Sequence, residues 1–459
     1  MALTLLQGGT VVTMDASIAD MDRGDILIED DRIAAIGPNL DAGDGAAVVD
    51  ASDMIVIPGL VNAHIHTWQT GLRGLAGNWT GTNYFRAMHA GLATFFRPED
   101  IYIANLVGAL NQINSGVTTL VDWHHNNPTP DHTDGAIAGL DEAGIRALFL
   151  HGSPKPDPKP GQKPFNEIPM PRGEVERLRK GRFAGDDGLL SMGLAVLGPH
   201  IAVHDVTLTD FRLAREFDLI ASLHHSGAKM AAPDGYAAAA AEGLLSDRVN
   251  VVHGNELTDD DLGLLADHGA TFAVTAEVEM QMAYGSPLTS RLRKRGLPVP
   301  IGSDVESAYA PDMFAVMRTT MQLERHEASL RSLAKTGKRP HPIPATTREA
   351  LGWATMDGAR MAHLDGSVGS LTPGKQADIT LVRKTDLNLV GAADPVNAIV
   401  MHANPGNVDT VFIAGRPVKQ GGKLDFGNLA TRIAELEESS ARILETFRDK
   451  TSADDLPPT

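Results

Sequence analysis

Eight short apolar runs, each followed by a stretch with helical spacing, do most to narrow the folds open to this 459-residue chain. In order they are MIVIPGLVNAH, GVTTLVDW, IRALFLH, LSMGLAVLG, DLIASLH, VNVVH, ATFAVT and LPVPIGSD. Between them, segments such as PEDIYIANLVGALNQINSG and DDDLGLLADHG place apolar residues at helical intervals and end in glycine. Strand–helix alternation on this scale predicts an α/β fold, a parallel (β/α)8 barrel of the TIM type, over residues 58–363. The flanks have another rhythm. LTLLQGGTVVTM and DILIEDDRIAAIG near the start, and KQADITLVRK and NVDTVFIAGRPVKQGGKL near the end, read as β-strands broken by Gly, Asp and Asn. Residues 1–57 and 364–425 are therefore expected to build one small β-sandwich from both termini. Residues 426–459 follow as a charged helix and a polar tail. The Pro/Lys-rich stretch at 153–173, between the third and fourth strands, is too long and polar for barrel wall and is expected to form an ordered lid or a mobile loop.

Barrels of this type carry their reactive groups at the C-terminal ends of the strands. The first run ends in His64-Ile65-His66, the fifth in His224, the sixth in His253 and the eighth in Asp304. Residues two apart on an extended segment face the same way, so His64 and His66 can reach one ion. The chain has no cysteine, so any metal must rest on histidine and carboxylate. Three or four imidazoles with one carboxylate suit Zn2+ or Fe2+ and exclude the all-oxygen cage of Mg2+ or Ca2+.

The net charge of −18 argues against a nucleic-acid backbone or an anionic membrane surface as partner. No unbroken apolar stretch reaches the ~18 residues of a membrane span. The N-terminus lacks the pattern of a secretory signal, so a cytoplasmic location is expected. There is no P-loop, no GxSxG and no dinucleotide fingerprint.

PGLVNAHIHT, VVHG followed by an acidic helix, PIGSD and GSLTPGKQADITLV together resemble the amidohydrolase superfamily. The chain is most similar to its branch of cytosine, guanine and S-adenosylhomocysteine deaminases and triazine hydrolases, over roughly residues 3 to 425. The resemblance implies a mononuclear site with His64, His66, His224, His253 and Asp304 as ligands. Binuclear relatives carry a carboxylated lysine at the end of the fourth strand, where this chain reads LAVLGPH. A divalent ion lowers the pKa of bound water to ~7, which makes hydroxide available at neutral pH. Asp304 then serves as general base, passing the proton to the leaving group. Relatives also imply a homo-oligomer, a dimer or larger.

One departure stands out. Related deaminases carry His-x-x-Glu after strand five, the Glu shuttling a proton; here the segment is His224-His225-Ser226-Gly227, with Gly227 in the Glu position. Replacement proton carriers are sought in His225, Glu256, Glu277 and Glu279. Glu277 and Glu279 are two apart, are expected to share a face, and are assigned to gripping an NH-rich or basic group of the substrate. His200 matches a substrate-contacting position of the relatives. Trp68, Gln69, His124 and His125 lie at strand ends and are expected to line the pocket, Trp68 stacking on a planar ring. Ser303 is read as serving geometry and Ser307 as standing behind the ligands. The expected function is metal-dependent hydrolysis of a C–N bond (or C–Cl) on a small planar nitrogen-bearing molecule. The rival readings are a metal-dependent lyase such as a decarboxylase, and a binding protein that has lost turnover.

Overall fold

The computed structural model describes residues 2–43, 45–227, 229–451 and 457; most of the expected polar tail lies outside them. Seven strands pair in parallel in chain order: Leu60–Ile65, Val117–His124, Arg146–Gly152, Leu190–Ala195, Ala221–His225, Val249–His253 and Thr271–Ala273. The eighth run does not form a full strand. Pro298 and Pro300 have no N–H to give a ladder, and the segment pairs only through isolated bridges, Val274 to Ile301 and Ile65 to Asp304. Those bridges still close the barrel. Val274 N–H donates to Pro300 O at 2.9 Å, Ala63 N–H to Ile301 O at 3.0 Å, and Asp304 N–H to His64 O at 2.9 Å.

Alternation along the strands sorts their side chains. Val121, Trp123, Leu148, Leu150, Ala195, Val252 and Ala273 fill the barrel interior, whereas Leu120, Phe149, Leu194, Leu223, Val251 and Phe272 pack outward beneath the helices. Helices cover that outer face, beginning with Pro98–Asn114 and Pro130–Ala143. The second of these ends at Gly144 in the left-handed region (φ 72°), a usual helix stop.

Both termini join in a separate nine-stranded sheet, as expected of a sandwich built from the two ends. Its junction is the antiparallel pair of Met54–Pro58 with Ile379–Arg383. Leu6, Ile26, Ile28, Val56, Ile379 and Phe412 are among the side chains of its apolar core. Arg146, at the start of the third barrel strand, ties this sheet to the barrel through a buried two-point ion pair with Asp378 (2.9 and 3.0 Å). The helix Leu429–Lys450 then runs back over the barrel, burying Leu436, Ile443 and Phe447, and its Arg442 pairs with Asp100. Among the described residues no helix is long and apolar enough to cross a membrane.

Candidate metal centre and its pocket

At the C-terminal mouth of the barrel, His64, His66, His224 and Asp304 place one ligand atom each within 4.8 Å of one another. Their geometry is set by how strand one meets the eighth segment. Gly302 lies against the His64 backbone, where a Cβ would fall 2.5 Å from His64 N. Only glycine allows that approach. Asn62 laces the two segments, donating to the Ser303 hydroxyl at 2.8 Å and accepting from Ser303 N–H at 3.1 Å. Ser303 thus has the geometric part expected of it. The pairing of strand one with strand two is irregular between Asn62 and Ile65, where the strand end is re-aimed. His253 and Asp304 adopt φ of 66° and 62°, a left-handed backbone uncommon for such residues and found at constrained functional sites.

Asp304 Oδ1 lies 3.3 Å from both His64 Nε2 and His66 Nε2, and its Oδ2 lies 3.8 Å from His253 Nε2. His224 Nε2 faces His64 Nε2 at 3.2 Å. His253 thus stands a little outside the tight group of four. Burial holds His64 neutral down to about 4 and holds His224 well below the usual histidine range. Burial alone would raise Asp304, but hydrogen bonds to His64 and His66 outweigh it and keep the carboxylate ionised. Imidazole nitrogens that converge on one carboxylate oxygen are the donor set of a divalent ion, and these residues fit one. His66 Nδ1–H donates to Trp123 O at 2.7 Å, which turns its Nε2 lone pair toward the cluster.

The cavity beside the cluster measures about 80 Å³, small beside the several hundred Å³ of a typical drug-sized site. Tyr84, Phe85 and His89 line it from one side, Val278, Met282 and Tyr284 from another, and Lys155 from above strand three. The stretch EMQMAY, residues 279–284, reads in the sequence as pocket wall or core, and Met282 and Tyr284 belong to it; Tyr84, Phe85, His89, Lys155 and Val278 were not singled out. Tyr84 to His89 lie on a short helix running into a π-type turn, Phe85–His89, which has no long-range periodicity to read. Lys155 lies three residues past the third strand end, the one signal that could have exposed it. Its loop is otherwise irregular, with a single 3-10 turn, Phe165–Glu167. The loop is pinned by Val203 N–H to Asn166 O (3.1 Å) and Met170 N–H to Asp210 Oδ1 (2.8 Å).

Several expected pocket residues stand elsewhere. Strand two continues through His124, so alternation turns that ring outward against Phe149 at 5.5 Å, and it does not line the cavity. His125 lies behind His66 (rings 4.7 Å apart), its Nε2 3.1 Å from His89 Nδ1. Trp68 is fully buried against Phe96 and His125, a packing position out of reach of a substrate ring. Gln69 acts at one remove: it accepts from Ser307 at 2.8 Å and donates to the Tyr84 hydroxyl at 2.6 Å. His200 sits one layer back against His225, with ring centroids 5.0 Å apart, and its Cε1 lies 3.1 Å from where a Cβ on Gly227 would sit.

The proposed proton carriers fare no better. His225 is held neutral down to about 3 by burial, and its Nδ1 pairs with the Tyr236 hydroxyl at 3.0 Å. Glu256 is exposed and its carboxylate lies against Gly285. Residues Ala276–Gln281 are helical, so Glu277 and Glu279 point to different faces instead of sharing one. Glu277 accepts from Thr319 at 3.0 Å, on the helix Met313–Thr336. Glu279 is fully buried behind His253.

Comparison with known proteins follows the same lines. Residues 55–418 match the Amidohydrolase family. The 5-methylthioadenosine/S-adenosylhomocysteine deaminase 1 of Syntrophus aciditrophicus is 27% identical, with 97% of this chain and 98% of that protein covered. The zinc-bound crystal structure of an adenosine deaminase from Xanthomonas campestris superposes with a TM-score of 0.79 at 23% identity, covering 96% of this chain and 98% of that one. The atrazine chlorohydrolase of Arthrobacter aurescens, solved with zinc, gives 0.80 at 20% identity over 95% and 100% of the two chains. These two structural likenesses establish the fold.

Proposed function

The chain belongs to the amidohydrolase family, and from that premise we propose that it hydrolyses an exocyclic C–N bond of a small, planar, nitrogen-bearing ring. The observation that carries this reading is the convergence of His64, His66, His224 and Asp304, from the ends of strands one and five and from the eighth segment, within 4.8 Å. His64, His66, His224 and Asp304 would hold one divalent ion, zinc in first place and iron as the alternative, with His253 beside them. When bound, such an ion supplies Lewis acidity and lowers the pKa of a coordinated water to about 7.

The chain's own groups do the rest. Asp304 stays ionised and is placed to take a proton at Oδ2, the oxygen turned toward His253. Tyr84 already accepts a hydrogen bond from Gln69, so its O–H proton is free to be donated into the cavity. Phe85, Ile201, Val278, Met282 and Val305 exclude water and suit the faces of an apolar ring. The relatives named as deaminases of adenosine derivatives and as a triazine chlorohydrolase support this class of chemistry. The small cavity favours a free heterocycle over a nucleoside.

The test is product release from zinc-loaded protein across aminopyrimidines, aminopurines, aminotriazines and chlorotriazines, reading ammonia, chloride and CO2 in parallel. Ammonia from at least one aminoheterocycle, lost in Asp304→Asn, is the expected result. CO2 release, or turnover that persists without Asp304, would overturn it.

A further inference from the structure

Lys155 lies three residues past the end of the strand Arg146–Gly152 and reaches into the cavity, only 5% exposed. Its Nζ stands 5.0 Å over the ring of Trp123, the indole that packs edge-on against His224 at 4.2 Å. Among the described residues no hydrogen-bond acceptor and no ion-pair partner meets that ammonium. The charge acting on it is that of Asp304, which is already engaged by His64 and His66. Asp304 is also the sole carboxylate among the described lining residues. A cation–π contact returns only part of what burying an ammonium costs. Burial draws Lys155 down to about 8, against the pull of the Asp304 charge.

With a divalent ion bound, the cavity holds that ion, one lysine and one carboxylate, so its net charge is positive. An unpaired buried cation in a positively charged cavity is complementary to an anion on the ligand.

We propose that Lys155 is a substrate-binding residue that pairs with a carboxylate on the ring of the substrate, so that this enzyme acts on anionic aminoheterocycles. The proposal rests on the hydrolase reading for the site's chemistry, but its evidence is the unpaired cation itself. Lys155 would fix the ring in the plane of the cavity while the reacting carbon faces Asp304.

The experiment measures binding by calorimetry to the zinc-loaded full chain, with three pairs of probes: an aminopyrimidine, an aminopurine and an aminotriazine, each with and without a ring carboxylate. Wild type, Lys155→Met and Lys155→Arg are compared at equal zinc content. In at least one pair the carboxylate member should bind wild type about tenfold or more tightly. Lys155→Met should erase that preference and spare the uncharged member, and Lys155→Arg should restore part of it. The proposal is overturned by any of four results: no pair shows a preference, the preference survives Lys155→Met because the metal ion holds the carboxylate, both members weaken equally, or Lys155→Met no longer retains zinc. A carboxylate preference without ammonia release from any probe would refute the hydrolase reading and leave the anion site standing.

Discussion

Glu279 stands directly behind His253, its Oε1 3.4 Å from His253 Nδ1, while the same ring nitrogen meets the Thr275 hydroxyl at 3.0 Å. The carboxylate is itself fixed, accepting from Thr275 N–H at 2.8 Å and from Asn255 Nδ2 at 3.1 Å. An anion behind an imidazole sets its tautomer, so that Nε2 presents a lone pair toward Asp304 and the ion. Glu279→Ala is expected to weaken zinc binding by about 10–100-fold in chelator competition, with KM of the reloaded enzyme little changed. Unaltered zinc affinity would show that Glu279 has no part in orienting His253.

Gly302 governs the spacing between His64 and Asp304. A methyl group there would fall 2.5 Å from His64 N and 2.6 Å from His64 O, both backbone atoms that cannot step aside without moving strand one. Gly302→Ala should therefore lower both the melting temperature and the zinc content of the purified protein. A variant with wild-type zinc content would mean that the barrel seam tolerates the added atom.

The Arg146–Asp378 pair joins barrel and terminal sheet where neither partner can turn to water. Asp378 Oδ1 also accepts from Ala414 N–H at 2.8 Å. Asp378→Ala strands a buried guanidinium and should cost about 3–5 kcal/mol in urea unfolding. A loss below about 1 kcal/mol, the range of a surface pair, would contradict this.

Burial pushes the Asp210 carboxyl up to about 7, against the pull of its one hydrogen bond from Met170 N–H. In the unfolded chain it titrates near ~4. The folded state thus binds the extra proton between these values, so this group's contribution is fully present below about pH 4 and is lost as pH rises through about 7. Asp210→Asn, which keeps an acceptor for Met170, should exceed wild type in stability at pH 8 by on the order of 2–4 kcal/mol, the gap closing toward pH 4. A gap independent of pH would show that Asp210 is ionised in the folded protein throughout.

The convergence of His64, His66, His224 and Asp304 was legible in the sequence because each closes or directly follows a short apolar run, and strand ends of a parallel barrel meet at one mouth. What surrounds the cluster was legible only in part. The pair Glu277 and Glu279 was misread because an i, i+2 relation has opposite meanings in a strand and a helix, and nothing local marks Ala276–Gln281 as helical. His124 was misread because strand two runs to its own position, so that its ring falls on the outer face. Tyr84, His89 and Lys155 went unnoticed because they sit on irregular segments that reach the cavity only through tertiary packing. The terminal sheet, by contrast, declared itself through alternation at both ends, although nothing in its pattern foretold that Arg146 and Asp378 would bind it to the barrel.

The central claim is that side chains far apart in sequence hold one divalent cation on which turnover depends. Elemental analysis of the purified chain beside His64→Ala and Asp304→Ala tests it most directly. The account predicts about one zinc or iron per wild-type chain, a large loss of metal in both variants, and wild-type turnover that chelation abolishes and added zinc restores. Metal-free wild type that still turns over, or variants that keep both metal and activity, would contradict it.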